Sequence, residues 1–281
     1  MKLFKKSVEF LITLCATLCF LGCTSLKNET IKSANPGTLP AAGAPDLNLS
    51  FQEKDKTFGA KIYRSNNSNY KNILVVVVHE WWGANDYAES RARMLANEGF
   101  DTAVVDLYGN NVIVETPPEA MALSKPFYEN SNLGIERLKK FLKLFKNEKT
   151  LKNKNIVAIG YCFGGTQVLN LARSGAKLKA VASFHGGLVT ADLKMKKTKT
   201  EVLVFHGNAD PMVPPKDVES FKKELEDSKT KLSFYGYPDA LHAFTNPKAT
   251  TIGQNYSLPI AYDANADQDS WKKLITFLKG N

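Results

Sequence analysis

Apolar residues along this chain gather into short unbroken runs, separated by stretches where they recur every three or four positions. The fullest run is Ile73-Leu74-Val75-Val76-Val77-Val78. A half-exposed strand would alternate with polar residues, so an uninterrupted run fits a strand covered on both faces. Thr102-Ala103-Val104-Val105-Asp106, Ile156-Val157-Ala158-Ile159, Val181-Ala182-Ser183-Phe184 and Val202-Leu203-Val204-Phe205 read the same way, as does the stretch 232–237. Helical spacing falls between them, at 85–97, 133–144, 166–173, 216–226 and 267–279. In the first of these Tyr87, Ala88, Ala92, Leu95 and Ala96 form the inward stripe and Gly99 the stop. Ahead of the first long run, 49–52 and 58–64 predict an entry hairpin. Pro117-Pro118 reads as a breaker in the long segment between Leu107 and Glu148. Strands alternating with helices predict an α/β domain over 49–281, a mainly parallel twisted sheet with helices on both faces.

The N-terminus breaks this pattern. Lys2, Lys5 and Lys6 precede an apolar segment from Phe10 to Leu18, and Phe20-Leu21-Gly22-Cys23 follows. The segment is short for a membrane span and predicts a signal peptide over 1–22. Gly22 before Cys23 resembles a bacterial lipoprotein processing site, although Phe20 stands where leucine is usual. This implies Cys23 as a lipidated mature N-terminus; ordinary cleavage and an uncleaved anchor are the alternatives. Positions 23–48, polar and rich in Pro, Gly, Ala, Asn and Ser, read as a tether. The chain is thus expected to be exported to the cell envelope and held at a membrane by lipid.

The 281 residues carry a net charge of +9, supplied mostly by dispersed lysines. No arginine cluster with interleaved aromatics accompanies that charge, so nucleic acid is not an expected partner. With Cys15 and Cys19 in the signal and Cys23 at the processing site, Cys162 is the one free thiol of the mature chain. An unpaired cysteine in an exported protein suggests a reactive thiol, against the plain reading of a small buried hydrophobe.

The surroundings of Cys162 favour the reactive reading. Gly160-Tyr161-Cys162-Phe163-Gly164 lies between a strand-like run and a helix-like one. This is the context of the nucleophile elbow, with cysteine where serine is usual. In a parallel sheet ligands bind beyond the carboxyl ends of the strands. All four histidines, His79, His185, His206 and His242, fall in such positions. Nucleophile, acid, histidine is the chain order of the hydrolase triad, and Cys162, Asp210 and His242 follow it. Asp210 could instead cap the turn before Pro211, and Asp239 is a rival acid. His185 and His206 read as structural. No histidine pair has ligand spacing on one element, so no metal or other cofactor is expected.

His79-Glu80-Trp81-Trp82-Gly83, Asp106-Leu107-Tyr108, the cysteine elbow, His206-Gly207-Asn208-Ala209-Asp210 and His242-Ala243-Phe244 together resemble the dienelactone hydrolase family. The resemblance runs from about Phe51 to the end. It implies an α/β-hydrolase fold, a Cys162–His242–Asp210 triad, and a Glu80 that touches the thiol at rest and helps deprotonate it. Backbone N–H groups of Trp81 and Phe163 would form the oxyanion hole. Trp82, Tyr108 and Tyr161 are pocket candidates, Trp82 equally as a packing anchor. The family's eponymous enzymes hold an anionic substrate with arginines. Here Gly109-Asn110-Asn111-Val112-Ile113 and Thr245-Asn246-Pro247-Lys248 offer none. Lysine is no bidentate substitute, so a neutral small-molecule ester or lactone is expected, cleaved through an acyl-enzyme. A non-catalytic envelope lipoprotein that kept the fold is the alternative.

Overall fold

A computed structural model describes residues 39, 41, 43–65, 70 and 72–280. The expected signal peptide, Cys23 and most of the expected tether lie outside the described residues. Eight strands form one sheet in the order β1-β2-β4-β3-β5-β6-β7-β8. Antiparallel β1 (Leu47–Glu53) and β2 (Lys56–Tyr63) make the edge hairpin, and β2 joins β4 (Asp101–Val105) antiparallel. From there β3 (Ile73–Val78), β5 (Asn155–Tyr161), β6 (Ala180–Phe184), β7 (Glu201–Gly207) and β8 (Leu232–Tyr237) are all parallel.

The unbroken run in β3 serves two cores. Leu74, Val76 and Val78 point into one, and Ile73, Val75 and Val77 into the other. The first core is covered by α2 (Pro117–Glu129), α3 (Ser131–Asn147), α4 (Phe163–Arg173) and α5 (Pro215–Asp227). The second is covered by α1 (Asp86–Asn97) and α7 (Ala264–Lys279). The period-2 geometry of a strand sends neighbours to opposite faces, so burial on both leaves no polar position.

Two helices depart from the sequence reading. Pro117-Pro118 starts α2 instead of breaking the chain. Both prolines occupy its first turn, whose N–H groups need no partner, and the Glu119 carboxylate reaches back to Thr116. A further helix, α6 (Ala249–Tyr256), follows the His242 loop. Its Ala-Thr-Thr-Ile-Gly-Gln-Asn-Tyr sequence has weak helix propensity. Packing holds it: a Cβ on Gly253 would lie 2.4 Å from the Ile260 carbonyl oxygen. Among the described residues no helix is long and apolar enough to cross a membrane.

Candidate active site

β3 and β5 are neighbours, with Val78 paired to Gly160, so the loops leaving their carboxyl ends emerge side by side. One carries Glu80 and Trp81; the other is the elbow. Cys162 sits at its apex with φ 52° and ψ −116°, a conformation that costs a non-glycine residue of order 1–3 kcal/mol. The close glycines make the turn possible. A Cβ on Gly160 would fall 2.1 Å from the Gly164 carbonyl oxygen, and one on Gly164 2.3 Å from that of Val78. The turn is pinned from behind: Cys162 N–H donates to the Phe184 carbonyl at 2.9 Å and to His185 Nδ1 at 3.1 Å.

His185 is therefore a structural acceptor. Its Nε2 hydrogen donates to Thr245 Oγ1 at 2.7 Å. Burial, then the neighbouring His242 and Arg91, hold its pKa well below the usual histidine value, which keeps Nδ1 free to accept. His79 is buried too, its Nδ1 2.5 Å from the Glu80 carbonyl while Nε2 accepts from Leu107 N–H. His206 packs near Phe234.

His242 is the histidine that reaches the thiol. Its Nε2 lies 3.0 Å from Cys162 Sγ and its Nδ1 2.8 Å from Asp210 Oδ2. The other Asp210 oxygen accepts from Met212 N–H at 2.8 Å. Asp210 is buried, whereas Asp239 is exposed in the turn after β8. Burial opposes protonation of His242, yet its interactions with Cys162 and the Asp210 hydrogen bond outweigh it, raising its pKa well above the ordinary value. The row can thus hold a proton on the imidazole beside the sulfur.

Glu80 differs from the family expectation. Its Oε2 accepts from Asn246 Nδ2 at 2.7 Å, while the thiol's hydrogen bond is with His242. The imidazole occupies the sulfur, and Asn246, in the loop following His242, captures the carboxyl group. Burial raises the Glu80 pKa to about 7 against the smaller opposing effects of Asn246, His242 and Arg91. Asn246 is the partner that sequence reading missed. No spacing rule links it to Glu80; only the unusual amide at a position expected to bear arginine marked it.

The Trp81 and Phe163 N–H groups have no acceptor among the described residues, and both adjoin the elbow. Trp81, Trp82, Glu80, Cys162 and His242 all line a cavity of about 370 Å³. Tyr108 and Tyr161 do not. Tyr108 lies behind the wall, its ring against His79 and Phe163 and its hydroxyl donating to the Trp81 carbonyl at 3.0 Å. Tyr161, the last residue of β5, turns to the opposite face of the sheet, into the core with Tyr87 and Phe184. Strand alternation separates it from the apex that follows. Among the described residues no three His, Cys, Asp or Glu side chains gather to hold a metal ion.

The parallel sheet, the strained elbow and the strand-end histidine define an α/β-hydrolase fold. The family model for the dienelactone hydrolase family matches residues 58–281, and the chain belongs to that family of hydrolases. A Caenorhabditis elegans protein, "Uncharacterized protein K02A2.1", is 32% identical over 147 residues, covering 51% of this chain and 90% of its own. A Saccharolobus solfataricus relative named "Putative carboxymethylenebutenolidase" is 27% identical over 243 residues, 74% of this chain and 89% of its own. Among solved structures, the dienelactone hydrolase-like promiscuous phosphotriesterase P91 from metagenomic libraries superposes with a TM-score of 0.77 at 27% identity, covering 83% of this chain and 97% of that one.

Proposed function

We propose that this protein hydrolyses neutral carboxylic esters or lactones, with Cys162 as nucleophile, His242 as base and acid, and Asp210 as the carboxylate that orients the imidazole. One observation carries the reading: the unbroken row Cys162 Sγ, His242 Nε2, His242 Nδ1, Asp210 Oδ2, at 3.0 and 2.8 Å, opening on a mainly apolar cavity. The thiolate attacks the carbonyl carbon, and the oxyanion forms beside the Trp81 and Phe163 N–H groups. The C–O bond then breaks as His242 gives its proton to the leaving oxygen. Water, deprotonated by His242, hydrolyses the thioester.

A neutral substrate follows from the cavity wall, which includes no arginine or lysine. Glu80, buried with a pKa of about 7, is about half protonated near neutrality, so it carries less negative charge than an ordinary glutamate. The carboxymethylenebutenolidase name of the archaeal relative supports an ester or lactone as substrate class. Replacing Cys162 with alanine should lower turnover of small aryl esters by at least about a thousandfold, as expected when a nucleophile is lost; undiminished turnover refutes the assignment. From its sequence alone we also infer export and lipid attachment at Cys23. Palmitate labelling of the whole chain in a bacterial host should be abolished by Cys23→Ser.

A further inference from the structure

Two cavities of different character meet at this site, the inner one strongly apolar and the outer one mixed. The inner one contains Cys162 and His242, and its remaining wall is largely apolar: Met121 and Tyr128 from α2, Val213 after β7, and Leu258, Pro259 and Ile260 after α6. The outer one, about 810 Å³, is mixed: Asn85, Asp86, Ser90, Glu115 and Lys248 stand beside Leu39, Tyr87, Ile113 and Val114, and Cys162 is not in its wall. They share Trp82, Asn246 and Ile252. At the cavities stand Ile113, Met121, Tyr128 and Met212, large apolar side chains 50–54% exposed that line one cavity or the other. Every one lies on a segment beyond the carboxyl end of a strand. Scattered apolar residues on a surface need no explanation, but a collar around one opening marks a ligand site.

We propose that the two cavities are successive subsites for one amphiphilic ester, an apolar acyl chain in the inner cavity and a polar hydroxylated alcohol in the outer, with Trp82, Asn246 and Ile252 as the partition. This rests on the hydrolase reading. The direction follows from the chemistry. When Sγ forms its bond to the carbonyl carbon and the C–O bond breaks, the alcohol leaves with a proton from His242 and the acyl group stays on sulfur. The part that stays must occupy the cavity containing Sγ, and that cavity is the apolar one. The part that leaves must pass into the other, where carboxylates, amides, a hydroxyl and an ammonium group can bond to hydroxyls. At roughly 30 Å³ per heavy atom, the share of a water in the liquid, 370 Å³ has room for about twelve heavy atoms, enough for the whole of an octanoyl group. Longer chains would lie across Met121, Tyr128 and Met212.

The test uses the purified protein and two ester series. With p-nitrophenol fixed as leaving group, kcat/KM should rise about threefold per methylene from acetyl to octanoyl. With octanoyl fixed, the glyceryl ester should exceed the methyl ester. Met121→Asp, at a half-exposed position where folding is tolerant, should cut the octanoyl-to-acetyl ratio by about tenfold or more, with an unchanged melting temperature. Trp82→Ala should lower the glyceryl-to-methyl ratio. A flat acyl series with turnover still dependent on Cys162 overturns the subsite assignment and leaves the hydrolase reading intact. An unchanged ratio in Met121→Asp overturns it too. No hydrolysis of any ester overturns both.

Discussion

At the scale of single residues, Glu80 is the most informative group in the site. A carboxyl group raised to about 7 by burial holds a proton in the folded chain over a pH range where the unfolded chain has lost it. Stability is therefore greatest below the ordinary glutamate value near 4.5 and falls as pH rises toward 7. The whole change is on the order of 3 kcal/mol. Glu80→Gln keeps a hydrogen-bonding group in the cavity and removes the titration. Urea unfolding at pH 5 and pH 8 should show the wild-type protein losing stability between the two values, and the variant losing less by that order. An equal pH dependence in both would mean that Glu80 is ionised throughout. Asn246 explains why this group could not be read from the sequence. The two residues are 166 positions apart, and only the fold brings amide and carboxyl group together. Cys162, by contrast, was legible because its neighbours Gly160 and Gly164 report on backbone crowding that is purely local.

At the scale of elements, Arg91 of α1 joins three parts of the molecule. Its guanidinium is buried, bonds Asp267 of α7 at 2.7 Å and the Thr245 carbonyl, and lies over the rings of Tyr87, Tyr161 and Trp271. Thr245 in turn receives the His185 hydrogen, and His185 accepts from Cys162 N–H. A helix on one face of the sheet thus supports the elbow on the other side of the strand ends. Arg91→Met should leave Asp267 buried and unpaired, costing about 3–5 kcal/mol. Chemical unfolding should show that loss, and the Arg91→Met/Asp267→Leu double variant should recover most of it, since a well-packed apolar pair can replace a buried ion pair. Failure of the second change to rescue would place the cost in the rings and the Thr245 carbonyl. The sequence showed α1 and α7 clearly through their apolar spacing. It hid α2 behind a proline pair and α6 behind poor propensity, although both line the cavity. Proline tolerance at a first helical turn and tertiary packing of a weak helix are effects that a period cannot encode.

At the scale of the whole molecule, the order β4-β3-β5 means that the chain turns both ways from β3. Consecutive strands leave in opposite directions, and the crevice at that switch point is where an open parallel sheet binds its ligand. Glu80, Trp81 and Cys162 lie there because of topology, and Asp210 and His242 reach it from β7 and β8. Each of these site residues lies in the strands and loops that follow Leu47. The sheet begins at Leu47, and among the described residues those before it that touch the domain are few: Leu39 packs on the α1 and α7 core, Ala44 accepts from Arg93, Asp46 donates to the Ile62 carbonyl and accepts from Arg64 N–H, and Leu39 and Ala41 border the outer cavity. Two truncations separate the roles. A chain beginning at Asn35 should keep the melting temperature of the full chain within about 2 °C, a loss of at most about 1 kcal/mol by the usual scaling for a domain of this size, and should keep kcat/KM for every ester. One beginning at Leu47 also loses Leu39, Ala41, the Ala44 carbonyl and the Asp46 bonds to Ile62 and Arg64. It should keep acetyl ester turnover, because every strand and Cys162, His242 and Asp210 are retained, while discriminating less between glyceryl and methyl octanoate. Calorimetry and the two ester pairs decide the matter. Equal discrimination by both truncated chains would show that the segment before β1 takes no part in the outer cavity, and a collapse of acetyl turnover in the longer one would show that folding or catalysis depends on residues before Asn35.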